Sequence, residues 1–213
     1  MHIVISGRLV LASASPRRAE MLKLLGVDFD RLPGDIDETF LGRETPREHV
    51  LRLSEGKAAL AACCRPDAWI LGADTIVVVA GEVLGKPTSP AEATAMLEKL
   101  SGREHEVLTG FAIIRQDLGI RVREVVASTV LFREISGNET AWYTGTPEPY
   151  DKAGGYAVQG IGGCFVREIR GSFSNVVGLP LCEVFEALKR VNAVVFKKEE
   201  PSVGSMTSEC GAV

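Results

Sequence analysis

The chain has 213 residues, 46% of them hydrophobic, which is enough for one sizeable core and excludes a wholly disordered chain. A formal net charge of −4 argues against binding to polymeric nucleic acid, because that function normally needs a basic surface. The five cysteines include no C-x-x-C pair, which predicts reduced thiols. The sequence has no apolar run of the roughly 18 residues that span a membrane, so we expect a cytoplasmic protein.

The first predicted strand, over 9–12, runs directly into a helix start at Ser15-Pro16. A serine caps the free amides of a first turn, and proline is favoured at the first helical position. Arg17 and Arg18 then occupy a turn in which acidic residues are normally favoured. Two interpretations stay open: solvated surface arginines, or a phosphate-binding site, since helix N-termini attract anions.

The second helix begins at Thr45-Pro46, where Glu48 completes a predicted capping box. Its apolar stripe follows spacings of three and four residues and includes one lysine: Val50, Leu53, Lys57 and Leu60. A lone lysine on such a stripe usually extends its ammonium group to solvent. The alternative is that Lys57 reaches into a polar site.

Two further strands are predicted over 69–73 and 75–79, separated by Asp74 in "WILGADTIVVV". Either Asp74 lies in a turn between them or it is a functional carboxylate, and we favour the second because a buried aspartate is costly without a partner. Residues 77–84 predict a hairpin. The following loop resembles a P-loop superficially, but Pro87 stands where a metal-binding hydroxyl is needed, so Lys86 is a candidate ligand contact from a different loop geometry.

Two more helix starts, at Ser89-Pro90 and Ser136, carry glutamates at the capping-box position, Glu92 and Glu139. Between them lie two long strand patterns, over 107–115 and 122–132, which predict a second hairpin. The mixture of continuous and alternating apolar patterns predicts an α/β fold with a mixed sheet flanked by helices.

A glycine-rich segment covers 148–163 and contains Asp151, Lys152 and Gln159. Glycine permits close approach of the backbone to a ligand, so we interpret the segment as a candidate binding loop. The amide of Gln159 offers both a donor and an acceptor, which suits the edge of uracil or thymine. A strand over 164–169, with Cys164 as a small core residue, and a helix after Pro180 are predicted to follow.

No linker divides the chain, so we expect one domain over 1–196 and a flexible tail over 197–213, where Lys, Glu, Ser and Gly dominate. The histidines His2, His49 and His105 lack metal-ligand spacing. We interpret them as ordinary surface or helix residues.

Taken together, these motifs resemble the Maf family of house-cleaning nucleoside triphosphate pyrophosphatases. The matching motifs are Ser13-x-Ser15-Pro16-Arg17-Arg18, Asp37-Glu38, Lys57 in "SEGKA", Gly72-Ala73-Asp74-Thr75, Gly85-Lys86-Pro87, Leu100-Ser101-Gly102, Asp151-Lys152-Ala153-Gly154 and Gly178-Leu179-Pro180-Leu181. The resemblance extends to about residue 193. It implies a single elongated unit similar to inosine triphosphatase, with a cleft between two lobes.

The resemblance also implies hydrolysis of a nucleoside triphosphate to the monophosphate and pyrophosphate, a cut at a phosphoric anhydride bond aided by a divalent cation such as Mg²⁺ or Mn²⁺. Asp74 matches the catalytic acid/base position, and Glu38 with Asp74 matches the metal-holding position. The remaining expected substrate contacts are Ser13, Ser15, Arg17, Arg18, Lys57, Thr75, Lys86, Lys152 and Gln159.

Three of these positions separate the branches of the family. Arg17, Thr75 and Gln159 match the pyrimidine branch, which acts on dTTP and UTP, whereas the 7-methyl-GTP branch carries Trp, Gln and Glu there. Gly85 departs from the pyrimidine pattern, which often has Glu at this place. The expected partner is therefore a pyrimidine nucleoside triphosphate, with neither membrane nor polymeric nucleic acid, and a homodimer is left open.

Two other functions are weighed against this one. A 7-methyl-GTP pyrophosphatase would use the same fold with a different base pocket. A regulatory nucleotide-binding protein that affects septum formation would need the cationic site but not the carboxylates, so Asp74 and Glu38 favour an enzyme.

Overall fold

The computed structural model describes residues 2–198, and within them the chain forms nine strands and six α-helices. The strands are β1 (His2–Ile5), β2 (Leu9–Ala12), β3 (Asp30–Arg31), β4 (Trp69–Val79), β5 (Glu82–Leu84), β6 (Glu104–Arg115), β7 (Ile120–Phe132), β8 (Val166–Arg170) and β9 (Val194–Lys197). The helices are α1 (Pro16–Lys23), α2 (Pro46–Cys64), α3 (Pro90–Leu100), α4 (Gly137–Thr144), α5 (Phe173–Val177) and α6 (Leu181–Arg190). Short 3-10 helices cover Glu148–Asp151, Ala153–Gly155 and Ile161–Phe165.

One mixed sheet organises the fold, in the order β3-β2-β4-β6-β7-β8, with β5 paired to β4. Strand β2 is parallel to β3 and β4, whereas the pairs β4/β6, β6/β7 and β7/β8 are antiparallel. The predicted α/β class with a mixed sheet flanked by helices is confirmed. A separate antiparallel pair joins β1 to β9.

Strand β4 is one continuous strand of 11 residues, so the predicted break at Asp74 is wrong. The reason is its neighbour: β6 pairs with β4 without interruption from Ile70 to Val78, and Asp74 lies opposite Gly110. Because side chains alternate along a strand, Asp74 and Thr75 point to opposite faces of the sheet.

Different helices cover the two faces. Helices α1 and α6 pack through Leu22 and Leu188 against Leu71 on one face. Helix α2 covers the other face and lies directly against β4, because a Cβ atom on Gly72 would come within 2.3 Å of the Ser54 carbonyl oxygen. This close approach places the α2 residue Lys57 beside the β4 side chain Asp74, and any larger residue at position 72 would push them apart.

The predicted helix starts at Ser15, Thr45, Ser89 and Ser136 are all present, each with its hydroxyl accepting from the third backbone amide of the helix. The reciprocal capping box forms at Thr45 and Ser136. At Ser89 the predicted box is incomplete. There Glu92 accepts instead from the backbone amide of Thr88, at 2.8 Å, so it stabilises the residue before the cap.

Several predicted environments are corrected by tertiary packing. Cys164 is exposed in a 3-10 helix rather than buried in a strand, because β8 begins only at Val166. His105 is buried on strand β6, so the prediction that it is a surface or helix residue is wrong. His49 lies in helix α2 as one alternative predicted, and its side chain is buried. His105 lies on β6 between the rings of Phe132 and Tyr156, and short-range sequence patterns do not report such partners.

At the C-terminal end, β9 continues to Lys197, one residue beyond the predicted domain boundary at 196. The rest of the predicted tail, from residue 199 onward, lies outside the described residues. Over 2–198, no helix combines the length and hydrophobicity needed to cross a bilayer.

Candidate active site

A cleft of about 1100 Å³ opens where α1 begins and extends over β4 to the glycine-rich loop. Every residue predicted from the sequence to bind substrate, metal or water lines it: Ser13, Ser15, Arg17, Arg18, Glu38, Lys57, Asp74, Thr75, Lys86, Lys152 and Gln159. The structure thus brings together residues that are spread over most of the chain. Their roles remain predictions.

The first turn of α1 forms one wall of the cleft and contains no acidic residue. Ser15 caps it by accepting from the Arg18 backbone amide at 3.4 Å. Ser13 Oγ accepts from the Ser15 backbone amide at 3.2 Å, which tightens the turn between β2 and α1. Amides and cations at this helix end make the wall suitable for a phosphate group.

The two arginines of this turn have different environments. Arg17 donates to Asp151 Oδ2 at 2.9 Å, across the cleft on the glycine-rich loop. Arg18 points inward and donates to the Gly178 carbonyl at 2.8 Å, Ser13 Oγ at 3.1 Å and Thr75 Oγ1 at 3.0 Å. Burial lowers the pKa of the Arg18 guanidinium, and the Asp74 charge opposes this. Arg18 therefore organises two hydroxyls of the site in addition to supplying charge.

Lys57 joins the two carboxylates of the cleft. Its Nζ lies 2.7 Å from Asp74 Oδ1 and 2.5 Å from Glu38 Oε1. Lys57 and Asp74 are both buried, so Lys57 does not extend to solvent. Burial works to raise the pKa of Glu38, but the hydrogen bond and charge of Lys57, with the charges of Lys86 and Arg18, outweigh it and the net pKa is lowered. Both carboxylates are thereby held close to a single cation.

The same pair of carboxylates is the candidate metal position. Lys57 pairs with Asp74 Oδ1 and Glu38 Oε1, which leaves the second oxygen of each carboxylate for a metal. Hard oxygen ligands suit Mg²⁺ or Mn²⁺, and Mg²⁺ commonly takes only one or two carboxylates and completes its shell with waters and substrate phosphates. Over 2–198 there is no cluster of three or more His, Cys, Asp or Glu residues for a metal. The donor set thus fits a metal shared with the substrate.

The glycine-rich loop is held by Glu148, which sequence reasoning did not single out. Its carboxylate accepts from the backbone amides of Ile161 at 2.9 Å and Gly162 at 2.8 Å and from the Tyr143 hydroxyl at 2.9 Å. A Cβ atom on Gly160 would come within 2.2 Å of Glu148 Oε2, which explains the glycine there. The available signal was an acidic residue at the start of a glycine-rich segment.

The cleft face of this loop carries charge and an exposed amide. Asp151 forms ion pairs with Arg17 and with Lys152. Burial opposes ionisation of Asp151, but these two hydrogen bonds lower its pKa overall. Gln159 is exposed in the cleft, and Lys86, on the loop after β5, lines the same cleft.

A buried threonine supports the site from below and was also missed. Thr109 on β6 is fully buried, and its Oγ1 lies 3.0 Å from Thr75 Oγ1. A polar residue within the apolar run "VLTGFAII" is the signal that could have indicated it.

Comparison with known proteins places these features in a family. The family model described as Maf-like protein matches residues 8–191. A "dTTP/UTP pyrophosphatase" of Syntrophus aciditrophicus (strain SB) is 56% identical over 95% of this chain and 98% of its own length. A protein of the same name from Anaeromyxobacter dehalogenans (strain 2CP-C) is 52% identical over 86% of this chain and 93% of its own.

Among solved structures, a HAM1 protein from Coxiella burnetii aligns with 59% of this chain and 72% of its own, at 21% identity and a TM-score of 0.41. That likeness is too low to bear on substrate or fold. The family model and the close relatives cover the whole cleft, and the chain therefore belongs to the Maf family.

Proposed function

We propose that this protein is a nucleoside triphosphate pyrophosphatase that hydrolyses dTTP and UTP to the monophosphate and pyrophosphate. The observation that carries the proposal is the buried Asp74–Lys57 pair, which opens into the same cleft as the cationic start of α1. The names of the relatives at 52% and 56% identity support the choice of substrate.

In this proposal the triphosphate lies against the first turn of α1. Free backbone amides and the Ser13 and Ser15 hydroxyls donate to its oxygens, and the positive end of the helix favours its charge. Lysines on three different elements complete the neutralisation: Lys57, Lys86 and Lys152. Arg17 exchanges Asp151 for phosphate or for a base oxygen when substrate enters.

Asp74 orients a water molecule for in-line attack on the α-phosphorus. The water oxygen bonds to that phosphorus, the bond to the bridging oxygen of the β-phosphate breaks, and pyrophosphate leaves with both bonding electrons. The proton of the water passes to a carboxylate oxygen of Asp74. Lys57, fixed by burial, holds Asp74 in place and presents positive charge beside the reacting phosphate.

We further propose that Glu38 and Asp74 hold a divalent cation. When bound, such an ion supplies positive charge to the phosphate oxygens during the cut. For the base, we propose that Arg17, Thr75 and Gln159 select uracil and thymine. The enzyme would act on free nucleotides in the cytoplasm and would consist of one domain over 1–196. Sedimentation velocity tests whether it forms a homodimer.

A substrate panel tests the function. Pyrophosphate release is measured with dTTP, UTP, CTP, 7-methyl-GTP and dITP, and we expect dTTP and UTP to be turned over fastest. Asp74→Asn should bind dTTP and lose turnover by a factor of about 10² or more, as removal of a general base does. The matched control is Asp117→Asn, whose carboxylate pairs with Arg115 and does not line the cleft.

Each alternative outcome has a definite meaning. Preferred hydrolysis of 7-methyl-GTP would overturn the pyrimidine assignment. Nucleotide binding without hydrolysis by the wild-type chain would favour the regulatory function, and full turnover by Asp74→Asn would remove Asp74 from the chemistry.

A further inference from the structure

The segment that carries Glu38 lies along helix α2. Its described residues, between the end of β3 and the start of α2, form neither helix nor strand. The segment runs antiparallel to the helix, because Gly34 lies against Leu60 and Ile36 lies against Gly56. A Cβ atom on Gly34 would come within 2.7 Å of Leu60 Cδ2, and one on Gly56 would come within 3.3 Å of Ile36 Cδ1. The two glycines thus allow the segment to lie close to α2 on one side of Glu38.

On the other side of Glu38 the segment is held by Arg52 of α2, which sequence reasoning did not single out. Arg52 Nη2 donates to the Thr39 carbonyl oxygen at 3.0 Å. The Thr39 backbone amide donates to Asp37 Oδ1 at 2.9 Å. Both backbone groups of the residue after Glu38 are therefore bonded, and the bond to the carbonyl comes from α2.

The orientation of Arg52 is fixed by Glu44, whose side chain is only 9% exposed. Glu44 accepts from Arg52 Nε at 2.9 Å and from Arg52 Nη2 at 2.7 Å. Two parallel bonds of this kind set the plane of a guanidinium, which a single contact does not. Glu44 also accepts from the Leu41 backbone amide at 2.9 Å and lies 2.6 Å from His49 Nδ1. The two protons of Nη2 go to Glu44 and to Thr39, so Arg52 joins the segment to α2 in one geometry.

Arg52 and Glu38 differ in their access to the cleft. Of these two described residues, Glu38 lines the cleft and Arg52 does not. Glu38 Oε1 lies 2.5 Å from Lys57 Nζ, but the Glu38 side chain is 48% exposed, so burial does little to hold it there. Its position depends on the backbone beside it. Groups that orient the ligands of a metal without touching it commonly set the metal affinity, and their loss costs about 10- to 100-fold.

We infer that Arg52 is a positioning residue that holds the backbone beside Glu38 against α2 and thereby sets the affinity of the site for a divalent cation. This inference rests on the proposed function, in which Glu38 and Asp74 hold that cation. Arg52 acts through Glu38, because its bonds go to the segment that carries Glu38 and to Glu44.

Binding of Mn²⁺ tests the inference without turnover. The protein is saturated with α,β-imido-UTP, which cannot be hydrolysed between its α- and β-phosphorus atoms, and free Mn²⁺ is measured by electron paramagnetic resonance. We expect Arg52→Gln to raise the Kd for Mn²⁺ about tenfold, and Glu38→Gln to raise it at least as much. The matched control is Arg121→Gln, which removes an exposed ion pair with Glu55 of α2 and should leave the Kd unchanged.

A double-mutant cycle separates positioning from a general loosening of the fold. In the Glu38→Gln background, Arg52→Gln should have no further effect on the Kd, whereas independent effects would multiply. Arg52→Gln also leaves the carboxylate of Glu44 without its counter-charge, which can destabilise the protein. The variant Arg52→Gln/Glu44→Gln removes both charges together and should retain the raised Kd.

The outcomes separate the two proposals. Three results overturn the inference and leave the proposed function standing: a wild-type Kd in Arg52→Gln, full multiplication of the two effects in the cycle, or recovery of the wild-type Kd in Arg52→Gln/Glu44→Gln. A Glu38→Gln variant that binds Mn²⁺ like wild type overturns the metal assignment and the inference with it. A wild-type chain that releases no pyrophosphate from dTTP or UTP overturns the proposed function, which the Mn²⁺ titrations do not measure.

Discussion

Replacing Lys57 by methionine removes the ammonium group from the cleft and keeps the length of the side chain. In the wild-type protein that ammonium is the hydrogen-bond partner of Asp74, and each of the two side chains is only 10% exposed. The substitution therefore leaves a carboxylate inside the protein without its counter-charge. The other partner of Lys57, Glu38, has a side chain that is 48% exposed and can be solvated.

These exposures set the magnitudes. Breaking a buried ion pair from one side costs about 3 to 5 kcal/mol, whereas an exposed pair contributes about 1 kcal/mol or less. For a chain of this size, each kcal/mol shifts the melting temperature by about 2 to 4 °C. We expect Lys57→Met to melt at least about 6 °C lower than wild type, Glu38→Gln to melt within a few degrees of it, and the double variant Lys57→Met/Asp74→Asn to recover most of the loss.

Thermal unfolding of the four proteins, followed by circular dichroism, measures these shifts. Glu38→Gln is the matched control, because it removes the same kind of ion pair at the solvent side. A Lys57→Met variant that melts with wild type would refute the reasoning. So would a double variant that is no more stable than Lys57→Met, because the penalty would then not reside in the unpaired Asp74.

Two further predictions concern groups outside the Asp74 pair. Burial lowers the pKa of His105 to about 4, below its unfolded value, so this residue's contribution to the free energy of unfolding is complete above about pH 6.5 and falls by roughly 3 kcal/mol as the pH drops to about 4. Urea unfolding of His105→Gln should show a flatter dependence of stability on pH. Stability curves of the variant and the wild type that run parallel would contradict this. Glu148→Gln loosens the glycine-rich loop, so KM for UTP should rise about fivefold with kcat nearly retained. Steady-state kinetics measure both constants, and Glu186→Gln, at an exposed position, is the control. An unchanged KM would contradict the prediction.

The parts of the fold that were predicted correctly depend on interactions only a few residues long. The helix starts at Ser15 and Thr45 follow from side chains that bond amides three residues away. The capping position of Ser89 was also visible, but the partner of Glu92 was not, because two neighbouring amides compete for one carboxylate. Local sequence thus predicts the first residue of a helix well, but it does not predict which backbone amide a nearby carboxylate will bind.

The errors have a common physical cause in long-range pairing. The sequence predicts a break in the strand at Asp74, but the continuous pairing with β6 keeps the strand intact and α2 supplies the counter-charge. His105 looked unremarkable because its burial depends on Tyr156, which lies 51 residues away in the chain. Such contacts are made by the assembled sheet and cannot be derived from spacing.

For the candidate site, residue types indicated the chemistry and the structure supplied the pairing. Two adjacent arginines at a helix start indicate either a phosphate site or solvated surface arginines. Only the structure shows that Arg17 bonds to a residue 134 positions away whereas Arg18 points inward. The metal-binding role proposed for Glu38 comes from the resemblance to a family, because no local pattern indicates it.

The uninterrupted course of β4 has a consequence for how specificity can change. In the proposed roles, Asp74 activates the attacking water and Thr75 contacts the base. The two residues are adjacent on one continuous strand and point to opposite faces of it. A substitution at Thr75 can alter the preferred nucleotide without moving the carboxylate, because the two side chains project into separate surroundings. A single residue inserted between them would place both side chains on the same face of the sheet and so remove one of them from its surroundings. In these roles, substitutions on this strand can change the preferred base while the position of cleavage stays fixed.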